Sequence, residues 1–131
     1  MKSLIVEDDV TSRALLQELL APYGLAHSAV NGEEGIVLFH KALEREQPYD
    51  LVCLDILMPE MDGQQVLKQL RALEEERGIL STHGAKIVMV TGLDDVKSIT
   101  SAFKGLCDGY LVKPLSKKLL LAKLRELSLI S

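Results

Sequence analysis

The sequence is short of cysteine. Its two, Cys53 and Cys107, make neither a Cys-x-x-Cys pair nor a disulfide framework, and both read as small apolar residues. It also lacks a long hydrophobic run: no apolar stretch approaches the roughly 18 residues needed to span a bilayer, so membrane insertion is not expected. The amino terminus has only three apolar residues between Met1-Lys2-Ser3 and Glu7, far fewer than the ~7 to 15 of a signal-peptide core, so a cytoplasmic location is expected. There is no basic excess. Lys and Arg total 15 against 19 Asp and Glu, a formal net charge of −4, which argues against a nucleic-acid backbone as a direct partner. No internal repeat or low-complexity segment is visible, and 131 residues fit one domain with a sizeable core.

What is present is an alternation of strand-like and helix-like stretches, the pattern of a parallel sheet with helices on its faces. The central run is Leu51-Val52-Cys53-Leu54-Asp55, four apolar residues ending on a carboxylate. Such a run reads as a short strand buried on both faces. Leu4-Ile5-Val6 runs into Glu7-Asp8-Asp9, Ile87-Val88-Met89-Val90 into Thr91-Gly92, and Tyr110-Leu111-Val112 into Lys113-Pro114. Residues 25–30 form a weaker strand, interrupted by His27 and Ser28, which suits a sheet edge and a structural role for His27.

Between the strands, Leu16, Leu19, Leu20 and Tyr23 recur at helical spacing, and Asn31-Gly32 opens a second helix carrying Ile36, Phe39 and Leu43. His40 has no second ligand at metal spacing beside it. Gly63 starts a third helix with Val66, Leu70 and Leu73 on its core face, and the charge run Glu74-Glu75-Glu76-Arg77 reads as its solvated end. Residues 81–84 have the composition of a long, mobile loop away from the site. A helix with Val96, Ile99 and Phe103 and a terminal helix from Ser116 complete five strands and five helices. The expected fold is α/β and flavodoxin-like: a doubly wound, five-stranded parallel sheet of order 2-1-3-4-5.

That order sets Glu7, Asp8 and Asp55 side by side at the carboxyl rim, where open α/β sheets bind ligands. Crowded carboxylates push at least one pKa up unless a cation sits among them. Few carboxylates with room for several waters suit Mg²⁺. Thr91 and Lys113 face the same spot and could hold an anion on the metal. Acids, a divalent cation, a hydroxyl and a lysine are the parts of phosphoryl transfer, with Asp55 as the nucleophile.

Taken in this order along essentially the whole chain, Val6-Glu7-Asp8-Asp9, Leu54-Asp55 with Met58-Pro59 and Met61-Asp62-Gly63, Val90-Thr91-Gly92 and Gly109-Tyr110-Leu111-Val112-Lys113-Pro114 resemble the receiver domain of two-component response regulators. The resemblance implies that residues 1–131 are one receiver domain with no output domain. It implies Asp55 as phosphoacceptor, Asp8 as a direct Mg²⁺ ligand, Glu7 reaching the metal through water and Leu57 offering its backbone carbonyl. It further implies that Thr91 and Lys113 hold phosphoryl oxygens, that the Lys113-Pro114 bond is cis, and that Tyr110 moves with Thr91 during switching. Such a protein is not an enzyme beyond its own phosphorylation and dephosphorylation. Its partners would be a sensor histidine kinase or histidine phosphotransfer protein upstream and a protein target or a second copy downstream. Glu7 stands where the family more often has Asp. Leu57 is apolar and cannot assist a hydrolytic water.

Three other readings compete. A haloacid-dehalogenase-like phosphatase needs a second Asp two residues after the nucleophile, where this chain has Leu57. In a flavodoxin relative the acids after the first strand would repel the cofactor phosphate. A pseudo-receiver acting only as a docking module would be expected to lose some of the five key groups, and all five are present. The terminal helix adds a second feature. Leu120, Leu124 and Leu127 make a packing stripe, while Leu115, Leu119, Ala122 and Leu129 form another, nearly opposite. The second stripe would adjoin the strand of Tyr110 and the helix from Asp94, predicting a partner or self-association face there.

Overall fold

The computed structural model describes residues 1–58, 62–80, 83–92 and 106–131. Its strands are β1 (Ser3–Val6), β2 (Ala26–Ala29), β3 (Leu51–Asp55), β4 (Lys86–Thr91) and β5 (Gly109–Val112). Its helices are α1 (Val10–Leu20), α2 (Gly32–Glu44), α3 (Gly63–Glu76) and α4 (Lys117–Glu126), with a 3-10 turn over Ala21–Tyr23. All strand pairs are parallel and the sheet order is β2-β1-β3-β4-β5. The expected flavodoxin-like architecture is therefore present. Four α-helices occur among the described residues; the expected helix of Val96, Ile99 and Phe103 lies outside them.

Alternate strand residues face opposite sides of the sheet, and both sides are covered. Leu4, Val6, Val52, Leu54, Ile87 and Met89 pack against Phe39 and Leu43 of α2 and Val66, Leu67 and Leu70 of α3. Ile5, Leu51, Cys53, Val88 and Val90 pack against Leu16 and Leu20 of α1 and Leu120 and Leu124 of α4. Two covered faces are why the inner strands carry unbroken apolar runs rather than an alternation.

Each helix begins on a residue whose side chain accepts from a free backbone N–H of the first turn. Asp9 accepts from Ser12 N at 2.9 Å, Asn31 from Glu34 N at 2.8 Å, and Ser116 from Leu119 N at 3.0 Å. Asp62 and Gln65 form a reciprocal capping box on α3. His27 is structural, as expected of the edge strand, with Nδ1 2.8 Å from the Tyr49 hydroxyl. His40 pairs instead with Glu44 at 3.2 Å.

Two expectations change. Glu74 is not part of a solvated end: it is 2% exposed. Its Oε1 lies 2.7 Å from Arg71 Nη1, and its Oε2 accepts from Ala85 N at 2.7 Å. Arg71 also donates to the carbonyls of Leu106 (2.8 Å) and Ala85 (2.9 Å) and to Asp108 Oδ2 (2.9 Å). The charges are buried because they satisfy backbone groups where the connections before β4 and before β5 converge on α3. The second correction concerns the outer stripe of the terminal helix. Leu115 and Leu129 lie outside α4 and pack against the core, because helical spacing no longer applies beyond the cap at Ser116 and the turn at Ser128 (φ 61°). Leu119 and Ala122 alone remain exposed.

Candidate functional site

The carboxyl rim is assembled by the sheet ladder continuing past the strand ends. Val6 pairs with Leu54 and Asp55 with Val90, so Glu7 emerges beside Asp55. Glu7 N donates to Ala29 O at 3.1 Å, and Ile56 N donates to Val90 O at 3.1 Å. Lys113 N donates to Thr91 O at 2.7 Å, which sets Lys113 next to the end of β4. Gly63 allows α3 to start close by: a Cβ there would meet Asp55 O and Ile56 Cα at 2.8 Å.

Carboxylate oxygens of Glu7, Asp8 and Asp55 lie within 4.8 Å of one another. Glu7 is 1% and Asp55 4% exposed, whereas Asp8 is on the surface. Lys113 Nζ sits 2.9 Å from Glu7 Oε1 and 3.6 Å from Asp55 Oδ2. Asp55 Oδ1 accepts from the Leu57 backbone N–H at 3.2 Å. Asp9, the third acid of the turn, is taken up by capping α1, so the cluster is Glu7, Asp8 and Asp55.

Two buried carboxyl groups this close cannot both ionise freely. Burial, with the hydrogen bond and charge of Glu7, pushes the Asp55 carboxyl up to about 8. Glu7 is held below the usual carboxylate range: burial opposes this, but the hydrogen bonds to Asp55 and Lys113 and the Lys113 charge prevail. Lys113 loses by burial and gains more from the two acids, so its ammonium is held above its usual range. One ammonium thus serves the two buried acids. The donor set is all oxygen, partly solvent-facing, and carries a proton that a cation would displace, which fits a hard divalent ion.

The structure brings Glu7, Asp8, Asp55 and Lys113 together. Thr91 ends the neighbouring strand, is buried, and donates its hydroxyl to Gly92 O at 3.1 Å. Tyr110 does not join the cluster. It stands on edge strand β5, paired with Met89, and is 37% exposed. The side chain of Leu57 points to solvent, and the Lys113-Pro114 bond is cis. Sequence reasoning missed Arg13, whose Nη1 donates to the carbonyls of Glu7 (3.0 Å) and Asp8 (3.4 Å) and fixes the acidic turn. Its only signal was a cation one helical turn into α1, four residues after the last of three acids.

The sequence matches the family described as "Response regulator receiver domain" over residues 3–125. The chain belongs to that family. Among its relatives, the "Probable transcriptional regulator ycf27" of Guillardia theta is 36% identical over 125 residues, covering 95% of this chain and 44% of the relative. The "Probable transcriptional regulatory protein SilR" of Salmonella typhimurium is 32% identical, covering 97% and 50%. This receiver domain therefore spans about half the length of these relatives. A solved two-component response regulator from Clostridium difficile shares 27% identity, with TM-score 0.77 and coverage of 98% and 95%. The Vibrio cholerae chemotaxis protein CheY4, at 24% identity, TM-score 0.77 and coverage of 95% and 96%, shares the fold. Receiver domains are signalling modules that bind Mg²⁺ at an acidic pocket and work with histidine kinases and downstream effectors. Among the described residues of this one, no helix is long and apolar enough to cross a membrane.

Proposed function

We propose that this receiver domain accepts a phosphoryl group on Asp55 from a histidine kinase or histidine phosphotransfer protein and relays the change to a partner. The observation that supports this reading is the convergence of three carboxylates within 4.8 Å with Lys113 reaching Glu7 and Asp55. Leu57 N–H holds Oδ1 of Asp55, leaving Oδ2, on the Lys113 side, to attack phosphorus as the phosphorus–nitrogen bond of the donor imidazole breaks. The product is an acyl phosphate, and the donor nitrogen keeps the bonding pair. Lys113 neutralises charge on the transferred group, and the Thr91 hydroxyl can turn from Gly92 O to a phosphoryl oxygen.

Asp8, Glu7, Asp55 and the Leu57 carbonyl would hold Mg²⁺, Glu7 through water. When bound, the ion supplies positive charge that keeps Asp55 ionised and offsets the phosphoryl oxygens. Lys113 holds one Glu7 oxygen, Oε1, at 2.9 Å. The protein catalyses only its own phosphorylation and dephosphorylation, and the apolar, exposed Leu57 side chain offers no help to a hydrolytic water. Movement of Thr91 toward the phosphoryl group would be followed by Tyr110, changing a face formed by Tyr110, Leu119 and Ala122. That face would receive a downstream protein or a second copy.

The test is intact-mass measurement after incubation with Mg²⁺ and acetyl phosphate. The mass of one phosphoryl group should be gained by the native chain, lost in Asp55→Asn, and acquired much more slowly in Asp8→Ala. Uptake that survives Asp55→Asn would remove Asp55 as the acceptor.

A further inference from the structure

At the opposite rim, where β1 and β3 begin and α2 ends, lies a cavity of 470 Å³ whose lining includes Lys2, Leu25, Leu38, Lys41, Arg45 and Tyr49. Its volume falls within the range of small-molecule sites. We propose that it binds a small amphipathic organic anion: a flat aromatic or short acyl body carrying an oxyanion head group such as a carboxylate, phosphate or sulfonate.

The apolar half is built into the core. Tyr49 and Ala42 are buried, and Leu38 packs against the same cluster. Tyr49 is fixed on several sides. Its ring stacks with Phe39 at a centroid distance of 6.4 Å, and its hydroxyl meets His27 Nδ1 at 2.8 Å. Lys2 Nζ lies 4.6 Å from its ring centre and donates to Gln47 O at 2.7 Å. The wall is therefore preorganised and need not be ordered by a ligand.

The charged half is one-signed. Lys2, Lys41 and Arg45 border the cavity, and no acidic side chain lines it. Among the described residues none of the three forms an ion pair with a carboxylate. This holds in a chain whose formal net charge is −4. The end of α2 favours Lys41 and Arg45, which lie one turn apart near its carboxyl terminus. It does not explain Lys2, which arrives from the start of the chain through the β1 connection. Cations from two separate elements, converging over an apolar wall, select an anion with an apolar body over a bare phosphate or a neutral ligand.

The inference does not depend on phosphorylation of Asp55. The ¹⁵N-labelled chain would be titrated with 1-naphthalenesulfonate while amide shifts are followed. Shifts should concentrate at Leu25, Leu38, Arg45, Glu46, Gln47 and Tyr49, and leave those around Asp55 in place. Lys41→Glu and Arg45→Glu, both on the helix surface, should each weaken binding about tenfold. Lys68→Glu, the same charge change on exposed α3, should not weaken it. Uncharged 1-naphthalenemethanol should bind about tenfold less tightly than the sulfonate. Shifts scattered over the surface, equal binding of the uncharged compound, or an equal loss with Lys68→Glu would overturn the proposal. So would a response of the same residues to protein concentration alone, which would assign the face to self-association.

Discussion

At Asp55 and Glu7 a few ångströms separate groups with opposed electrostatic fates. Without a divalent cation the folded chain holds a proton on Asp55 up to about pH 8, whereas the unfolded chain releases it near 3.8. Between those values the folded state binds more protons, so stability must fall as pH rises. Glu7 is displaced the other way, and its contribution is lost only as pH falls below its ordinary 4.5. In EDTA, unfolding free energy should therefore decline as pH rises from 5 to 8. Asp55→Asn, which carries no charge to bury, should flatten that slope and be the more stable protein at pH 8. Denaturant titrations at both pH values check this, and a native slope of zero would mean that Asp55 is already ionised. The crowding of acids was legible in the sequence. Which of them keeps the proton was not, since it depends on Lys113 lying nearer to Glu7 than to Asp55.

The third helix carries the largest discrepancy between pattern and fold. In Glu74-Glu75-Glu76-Arg77 the acids look interchangeable, yet Glu74 is buried against Arg71 and Ala85 N while Glu75 is exposed. Truncating Glu74 would leave Arg71 with only Asp108 as counter-charge and the Ala85 N–H without its acceptor. Glu74→Ala should cost about 3 kcal/mol. Glu75→Ala should cost no more than about 0.5 kcal/mol. Thermal or urea unfolding of the pair separates them, and similar losses would show that the network adds nothing net. Gly84 belongs to the same arrangement, since a Cβ there would strike the Glu74 carboxylate. Gly84 and Ala85 are thus held against α3. Helix periodicity could not reveal this, because the partners of Glu74 and Arg71 lie in later connections, as far along as Asp108.

For the molecule as a whole, the acidic rim proposed to be phosphorylated and the proposed output face are distinct surfaces joined through β4 and β5. Tyr110 and Leu119, 37% and 57% exposed, border a groove of 390 Å³ with Val112 and Ala122. Leu119→Glu should leave Asp55 phosphorylation at its native rate while reducing target capture or phosphorylation-dependent dimerisation at least about tenfold. Sedimentation and pull-down with phosphorylated protein provide the measurement. If both are unchanged, the signal leaves by another surface. The relatives, named as probable transcriptional regulators, are about twice the length of this chain.

The succession of strands and helices along the chain, the acids at the strand ends and the lysine before Pro114 follow from the sequence by itself, because apolar runs and turn residues are local signals of one element each. The same locality explains the capping residues Asp62 and Ser116. Tertiary structure alone decided that Glu74 is buried, that Arg13 braces the acidic turn, that Leu115 and Leu129 join the core, and that Lys2, Lys41 and Arg45 meet over Tyr49. Each of these depends on side chains brought together from different elements, and the free energy of a buried charge or an exposed leucine is set by those neighbours rather than by position along the chain.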